Sequence, residues 1–141
     1  MATTRNASTH WEGTLFEGAG RVTLESSGIG TYDVSWASRA EEANGKTSPE
    51  ELIAAAHSSC FSMALSNGLA KAGSPATSLD TSAAVDFVPG TGITEIRLTV
   101  KGVVEGMSEE DFVAAATAAK EGCPVSQALA GTTITLEASL A

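Results

Sequence analysis

Cysteine is scarce in this 141-residue chain: there are two, Cys60 and Cys123, with no CxxC spacing and only two histidines to accompany them. That lacks the ligand spacing of a zinc site. Proline is scarce too, at 4 against 14 glycines, and 43% of residues are apolar, the composition of a compact globular chain. Basic residues number 8 against 17 acidic ones, for a net charge of −9, and Lys and Arg nowhere cluster. This argues against nucleic acid or an anionic membrane surface as partner. A long hydrophobic run is missing as well, because His57, Ser58, Ser59 and Asn67 interrupt the apolar stretch from Leu52 to Ala70. Met1-Ala2-Thr3-Thr4-Arg5-Asn6 lacks the apolar core of a signal peptide, so a cytoplasmic location is expected. In that compartment a structural disulfide is unusual, and a pair of cysteines more often means catalysis or sensing.

At this length one domain, residues 1–141, is expected to bury about two-thirds of its unfolded surface. The first third reads as a β-meander. Short segments rich in β-branched and aromatic residues (Thr9 to Phe16, Arg21 to Glu25, Thr31 to Trp36) are separated by Gly18-Ala19-Gly20 and Ser26-Ser27-Gly28-Ile29-Gly30. A polar loop, Ser38 to Lys46, precedes a strong helix start: Ser48 as N-cap, Pro49 in the first position, Glu50 and Glu51 against the positive helix end. This helix is expected to run to about Lys71 and stop at Gly73-Ser74-Pro75. Its apolar face is read as Leu52, Ala56, Cys60 and Met63, widened by Ile53, Phe61 and Ala64, which places Cys60 in the core. A hairpin follows, Ser78 to Val88 and Gly92 to Val103, with an apolar face from Ile96 onward. A second helix opens at the capping box of Ser108 to Asp111 and ends at Gly122; Cys123-Pro124 begins a short helical turn, and Thr132 to Glu137 is a last strand. The fold class is α+β: meander, long central helix, hairpin, second helix, C-terminal strand.

Each thiol sits where a different physical device tunes it. Cys123, just before Pro124, occupies the N-cap of a short helix, where free N–H groups favour a thiolate, so local chemistry alone points to Cys123 as the nucleophile. Cys60, mid-helix and buried, gains nothing from the helix dipole and needs a cation beside it. Arg39, in the loop before the helix, is the best supplier, since a guanidinium keeps its charge when buried. His57, three residues before Cys60, invites a Cys–His pair, although no acyl-transfer signature surrounds it. Two buried free thiols packed as small hydrophobes remain the bland alternative.

The run Thr47-Ser48-Pro49-Glu50-Glu51-Leu52-Ile53-Ala54-Ala55-Ala56-His57-Ser58-Ser59-Cys60-Phe61-Ser62-Met63-Ala64-Leu65 resembles the core motif of the osmotically inducible protein C / organic hydroperoxide resistance (OsmC/Ohr) family. Gly122-Cys123-Pro124-Val125-Ser126-Gln127-Ala128-Leu129 resembles its second motif, and the likeness extends over nearly the whole chain, from His10-Trp11-Glu12-Gly13 onward. Arg39 before the helix is similar to the osmotically inducible branch; Arg21, after Gly18-Ala19-Gly20, is the rival arginine. The resemblance implies a thiol peroxidase acting on organic hydroperoxides, and on hydrogen peroxide less well, with no metal, haem or flavin. It implies Cys60 as the peroxidatic thiolate, Cys123 as the resolving thiol, and Arg39 with Glu50 as the groups that activate Cys60 and hold the peroxide. An external dithiol then reduces the Cys60–Cys123 disulfide.

Glu50 and Cys60 lie ten residues apart on one helix, a rise of about 15 Å. Glu50 therefore cannot approach Cys60 of its own chain, whereas two copies packed about a two-fold axis bring Glu50 of one to Cys60 of the other. An intertwined homodimer is expected, as the resemblance also implies. A non-catalytic carrier of apolar ligands, using a pocket at the dimer interface, is the alternative function.

Overall fold

The computed structural model describes residues 1–141 and orders the chain as β1 (Ser8–Glu12), β2 (Ala19–Thr23), β3 (Thr31–Val34), α1 (Trp36–Ala40), α2 (Pro49–Lys71), β4 (Ser78–Val88), β5 (Gly92–Val103), α3 (Glu109–Gly122), α4 (Pro124–Ala128) and β6 (Thr133–Leu140). The expected α+β order is present. No helix is long and apolar enough to cross a membrane. Contacts divide the chain into two compact units, Met1–Leu52 and Ile53–Ala141, with α2 beginning in the first and continuing through the second.

In the first unit β1, β2 and β3 form an antiparallel sheet in sequence order. Gly20 lies opposite Trp11 on β1 and Val34 on β3, and a Cβ there would come within 2.6 Å of the Trp11 ring; the sheet closes around this position only because it is glycine. β1 stops at Glu12, short of the expected Phe16, because Gly13 takes φ +90° and the chain folds back through a Gly18 N–H···O=C Thr14 bond of 2.8 Å. β3 likewise stops at Val34. The segment read as strand end and loop is instead the short helix α1, opened by a reciprocal box in which Ser35 Oγ accepts from Ser38 N–H and Ser38 Oγ from Ser35 N–H. Ser38 Oγ also lies 3.0 Å from the Thr47 carbonyl, and the Thr47 N–H donates to the Asp33 carbonyl. These bonds tie α1 and β3 to Thr47, two residues before α2, and so fix the last turn of α1 relative to the first turn of α2.

α2 begins as its sequence requires: Ser48 Oγ accepts the Glu51 N–H at 3.1 Å, and Thr47 Oγ1 donates to the Glu51 carboxylate at 2.6 Å. Its buried face differs from the expected one. The side chains sealed from solvent are His57, Phe61, Leu65 and Leu69, spaced by four residues, whereas Met63 is 72% exposed and Ala56 is exposed. Ala and Ser populate so much of the helix that its rotation is decided by the few large side chains. Cys60, one position before Phe61, is consequently half-buried at the margin of the core and not within it.

In the second unit β4 and β5 pair antiparallel, and β6 returns to pair parallel with β5, so that α3 and α4 form the crossover between parallel strands. Ile96, Leu98 and Val100 of β5 are buried as their alternation predicts, and join Phe61, Leu65, Leu69, Phe112, Ala116 and Cys123 in the interior. Phe112 packs closely on β5: a Cβ on Gly102 would meet its ring at 2.6 Å. Replacing Gly102 by Ala should cost about 1–3 kcal/mol through overpacking, and Leu65→Ala about 2–5 kcal/mol through the cavity it leaves. Urea unfolding midpoints of the two variants check both.

Candidate active site

The four residues singled out on sequence grounds meet as two pairs. In the second unit, α2 carries Cys60 to the junction of α3 and α4, where its Sγ lies 3.1 Å from that of Cys123; both thiols are free. In the first unit, Arg39 in the last turn of α1 donates from Nε to Glu50 in the first turn of α2, at 2.9 Å to Oε1 and 3.3 Å to Oε2. The Glu50 side chain is only 8% exposed, so its carboxylate is held in place by the guanidinium it orients. Arg21 pairs instead with Asp33, at 3.5 Å, and both side chains are exposed. Arg39 also borders an apolar cleft of about 370 Å³, lined chiefly by Trp11, Leu15, Val22, Trp36 and Leu52.

Cys123 serves both helices at the junction: its N–H donates to the Ala119 carbonyl to close α3, and its carbonyl accepts from Gln127 to open α4. Its side chain is fully buried. Burial pushes its thiol up, but the Ser126 amide, the Cys60 thiol, the Ser126 hydroxyl and the Val125 amide outweigh that, and the net shift is downward. The neutral thiol makes no cap hydrogen bond of ordinary geometry, so these donors act on the thiolate. Cys60 moves the other way: burial raises it, the hydrogen bond with Cys123 and the charge of that neighbour raise it further, and the Val125 amide opposes only in part. The groups around the two sulfurs thus favour the anion at Cys123 and oppose it at Cys60.

His57 does not serve Cys60 by a side-chain hydrogen bond of its own. It is fully buried with Nε2 2.6 Å from Ser126 Oγ, itself 6% exposed, and its Nδ1 is buried without a partner. Burial lowers the His57 pKa, which keeps the imidazole neutral. Ser126 was not singled out from the sequence. The available signal was a hydroxyl three residues after an N-cap cysteine, within the first turn of the same short helix.

The fold places the chain in a class whose solved members include organic hydroperoxide resistance proteins. An organic hydroperoxide resistance protein OsmC from Legionella pneumophila superposes with a TM-score of 0.74 at 23% identity, covering 99% of this chain and 98% of that one. OhrB of Bacillus subtilis gives 0.65 at 22% identity, covering 96% and 98%. The chain belongs to the OsmC-like protein family, whose family model matches residues 42–137. Among curated relatives, the protein named Peroxiredoxin OsmC of Escherichia coli K12 is 42% identical over 132 residues, 92% of each chain.

The opposed shifts give a direct expectation. With Arg39 replaced by Met, so that only the groups around the two sulfurs set their acidity, ultraviolet thiolate absorbance should rise in two steps as pH increases. The step below the ordinary thiol value should vanish with Cys123→Ser, and the step above it with Cys60→Ser.

Proposed function

We propose that this chain is a cysteine-based peroxidase that reduces organic hydroperoxides, and hydrogen peroxide less well, working as a homodimer in which residues 1–141 act as one OsmC-like domain. The observation that carries the proposal is the 3.1 Å approach of two free thiols, one half-buried and one at a helix junction, in a chain of this family. The Cys60 thiolate attacks the distal oxygen of the hydroperoxide. A sulfur–oxygen bond forms, the oxygen–oxygen bond breaks, and the alkoxide takes a proton to leave as the alcohol. The Cys123 thiolate then attacks the Cys60 sulfenic acid: a sulfur–sulfur bond forms, the sulfur–oxygen bond breaks, and the departing hydroxide takes up the proton that Cys123 released and leaves as water. An external dithiol restores both thiols by exchange.

Local electrostatics hold Cys60 up, so its role as attacker requires a cation. The partner subunit's Arg39, oriented by the partner subunit's Glu50, supplies it. Glu50 and Cys60 of one chain are separated by about 15 Å of continuous helix, which is why the second copy is needed. Guanidinium N–H donors stabilise the thiolate and the oxygen that becomes alkoxide, and the apolar cleft beside Arg39 accommodates the organic part of the substrate.

One equivalent of cumene hydroperoxide should consume both thiols of the reduced protein without producing disulfide-linked dimers on a non-reducing gel. Survival of both thiols would favour an apolar-ligand carrier. Arg39→Met should lower the second-order rate with cumene hydroperoxide by about 10²–10³-fold. Subunit mixing tests the shared site: Cys60→Ser and Glu50→Ala proteins, each inactive alone, should recover activity when recombined, because the mixed dimer keeps one intact site. Absence of recovery would refute the sharing.

A further inference from the structure

We propose that His57 and Ser126 form a buried donor relay that aims the Ser126 hydroxyl at the Cys123 sulfur and readies it to attack the oxidised Cys60. This rests on the reading of Cys123 as the resolving thiol. His57 is fully buried on α2, its Nε2 is 2.6 Å from Ser126 Oγ, and its Nδ1 has no partner. A neutral imidazole carries one proton. On Nδ1 that proton would be an orphaned buried donor, which native structures almost never tolerate, whereas a bare ring nitrogen is the milder loss. The proton therefore sits on Nε2 and is donated to Ser126 Oγ.

With its oxygen already accepting, the Ser126 hydroxyl has its own proton to give. Ser126 is the third residue after Cys123, in the first turn of α4, and both side chains are buried. The hydroxyl is among the groups that favour the Cys123 thiolate, together with the amides of Ser126 and Val125. Of the titratable groups, Cys60 lies 3.1 Å from this sulfur, His57 is hydrogen-bonded to Ser126, and Lys120 and Glu121 precede Cys123 in the last turn of α3. Lys120 Nζ is turned to the Ile134 carbonyl at 3.3 Å, and Glu121 is exposed. His57 stays neutral because burial lowers its pKa, so it acts as a fixed dipole and not as a proton acceptor. His57 and Ser126 are thus positioning residues for the resolving step. In that step Cys123 sulfur bonds to Cys60 sulfur, the Cys60 sulfur–oxygen bond breaks, and the departing hydroxide takes the proton that Cys123 released, giving water.

The relay predicts a change in acidity that a merely structural contact would not produce. In the full-length Cys60→Ser protein, whose only thiol is Cys123, the thiolate absorbance midpoint should rise by about one pH unit with Ser126→Ala and by a similar amount with His57→Leu. The double variant should rise no further than Ser126→Ala alone. His57→Gln, which keeps an N–H donor near the position of Nε2, should stay close to the parent midpoint. Thermal melting establishes that each variant is folded; should His57→Leu not fold, Ser126→Ala and His57→Gln decide the matter. An unchanged midpoint in Ser126→Ala, additive shifts in the double variant, or a His57→Gln midpoint as high as that of Ser126→Ala would overturn the relay. No peroxide enters this measurement, so its failure leaves the peroxidase reading standing. Conversely, shifted midpoints in a protein whose thiols survive cumene hydroperoxide would retain the relay and refute the peroxidase.

Discussion

The rotational setting of α2 is the constraint on which the thiol pair depends. Phe61, Leu65 and Leu69 enter one interior with Leu98, Val100 and Phe112, and a helix with three large side chains so buried has one orientation. That orientation leaves Cys60, one residue before Phe61, at the core's margin, and puts His57, one turn earlier, inside it. Cys123 is fixed from the other side, since its backbone ends α3 and starts α4. The approach of the sulfurs is thus a product of packing and helix capping, with no bond between them required to hold it.

Chemically, the chain assigns its two thiols opposite dispositions. The amides and hydroxyl around Cys123 favour its anion, while Cys60 has burial and a neighbouring thiol working against ionisation. In the proposed site a guanidinium opposes that, and Arg39 is paired with a buried carboxylate, Glu50.

Much of this was legible in the sequence, unevenly and for physical reasons. α2 could be bounded because Ser48, Pro49 and Gly73 are local signals that act through the backbone alone. α1 was hidden because its cap is a pair of serines without the usual carboxylate, beneath an aromatic, Trp36, that reads as strand. The buried face of α2 was misjudged by about one residue, since a helix of Ala and Ser carries little periodic signal. The parallel pairing of β6 with β5 is a tertiary fact that no local pattern encodes. For the candidate site, local chemistry pointed to Cys60, Cys123 and Arg39, and the motif resemblance added Glu50 and exchanged the expected roles of the two thiols. Ser126 stood in one of those motifs, but its partnership with His57 depends on a contact between segments far apart in the chain.

The crowding of donors around Cys123 also bears on the other half of a catalytic cycle. A thiolate made comfortable in the reduced protein is a good leaving group when a disulfide containing it is attacked, and stabilising the reduced form raises the disulfide's reduction potential. In the proposed cycle, the Val125 and Ser126 amides would therefore ease regeneration as well as resolution. The short helix after Cys123 would then help to set how mild a reductant can return the enzyme to work.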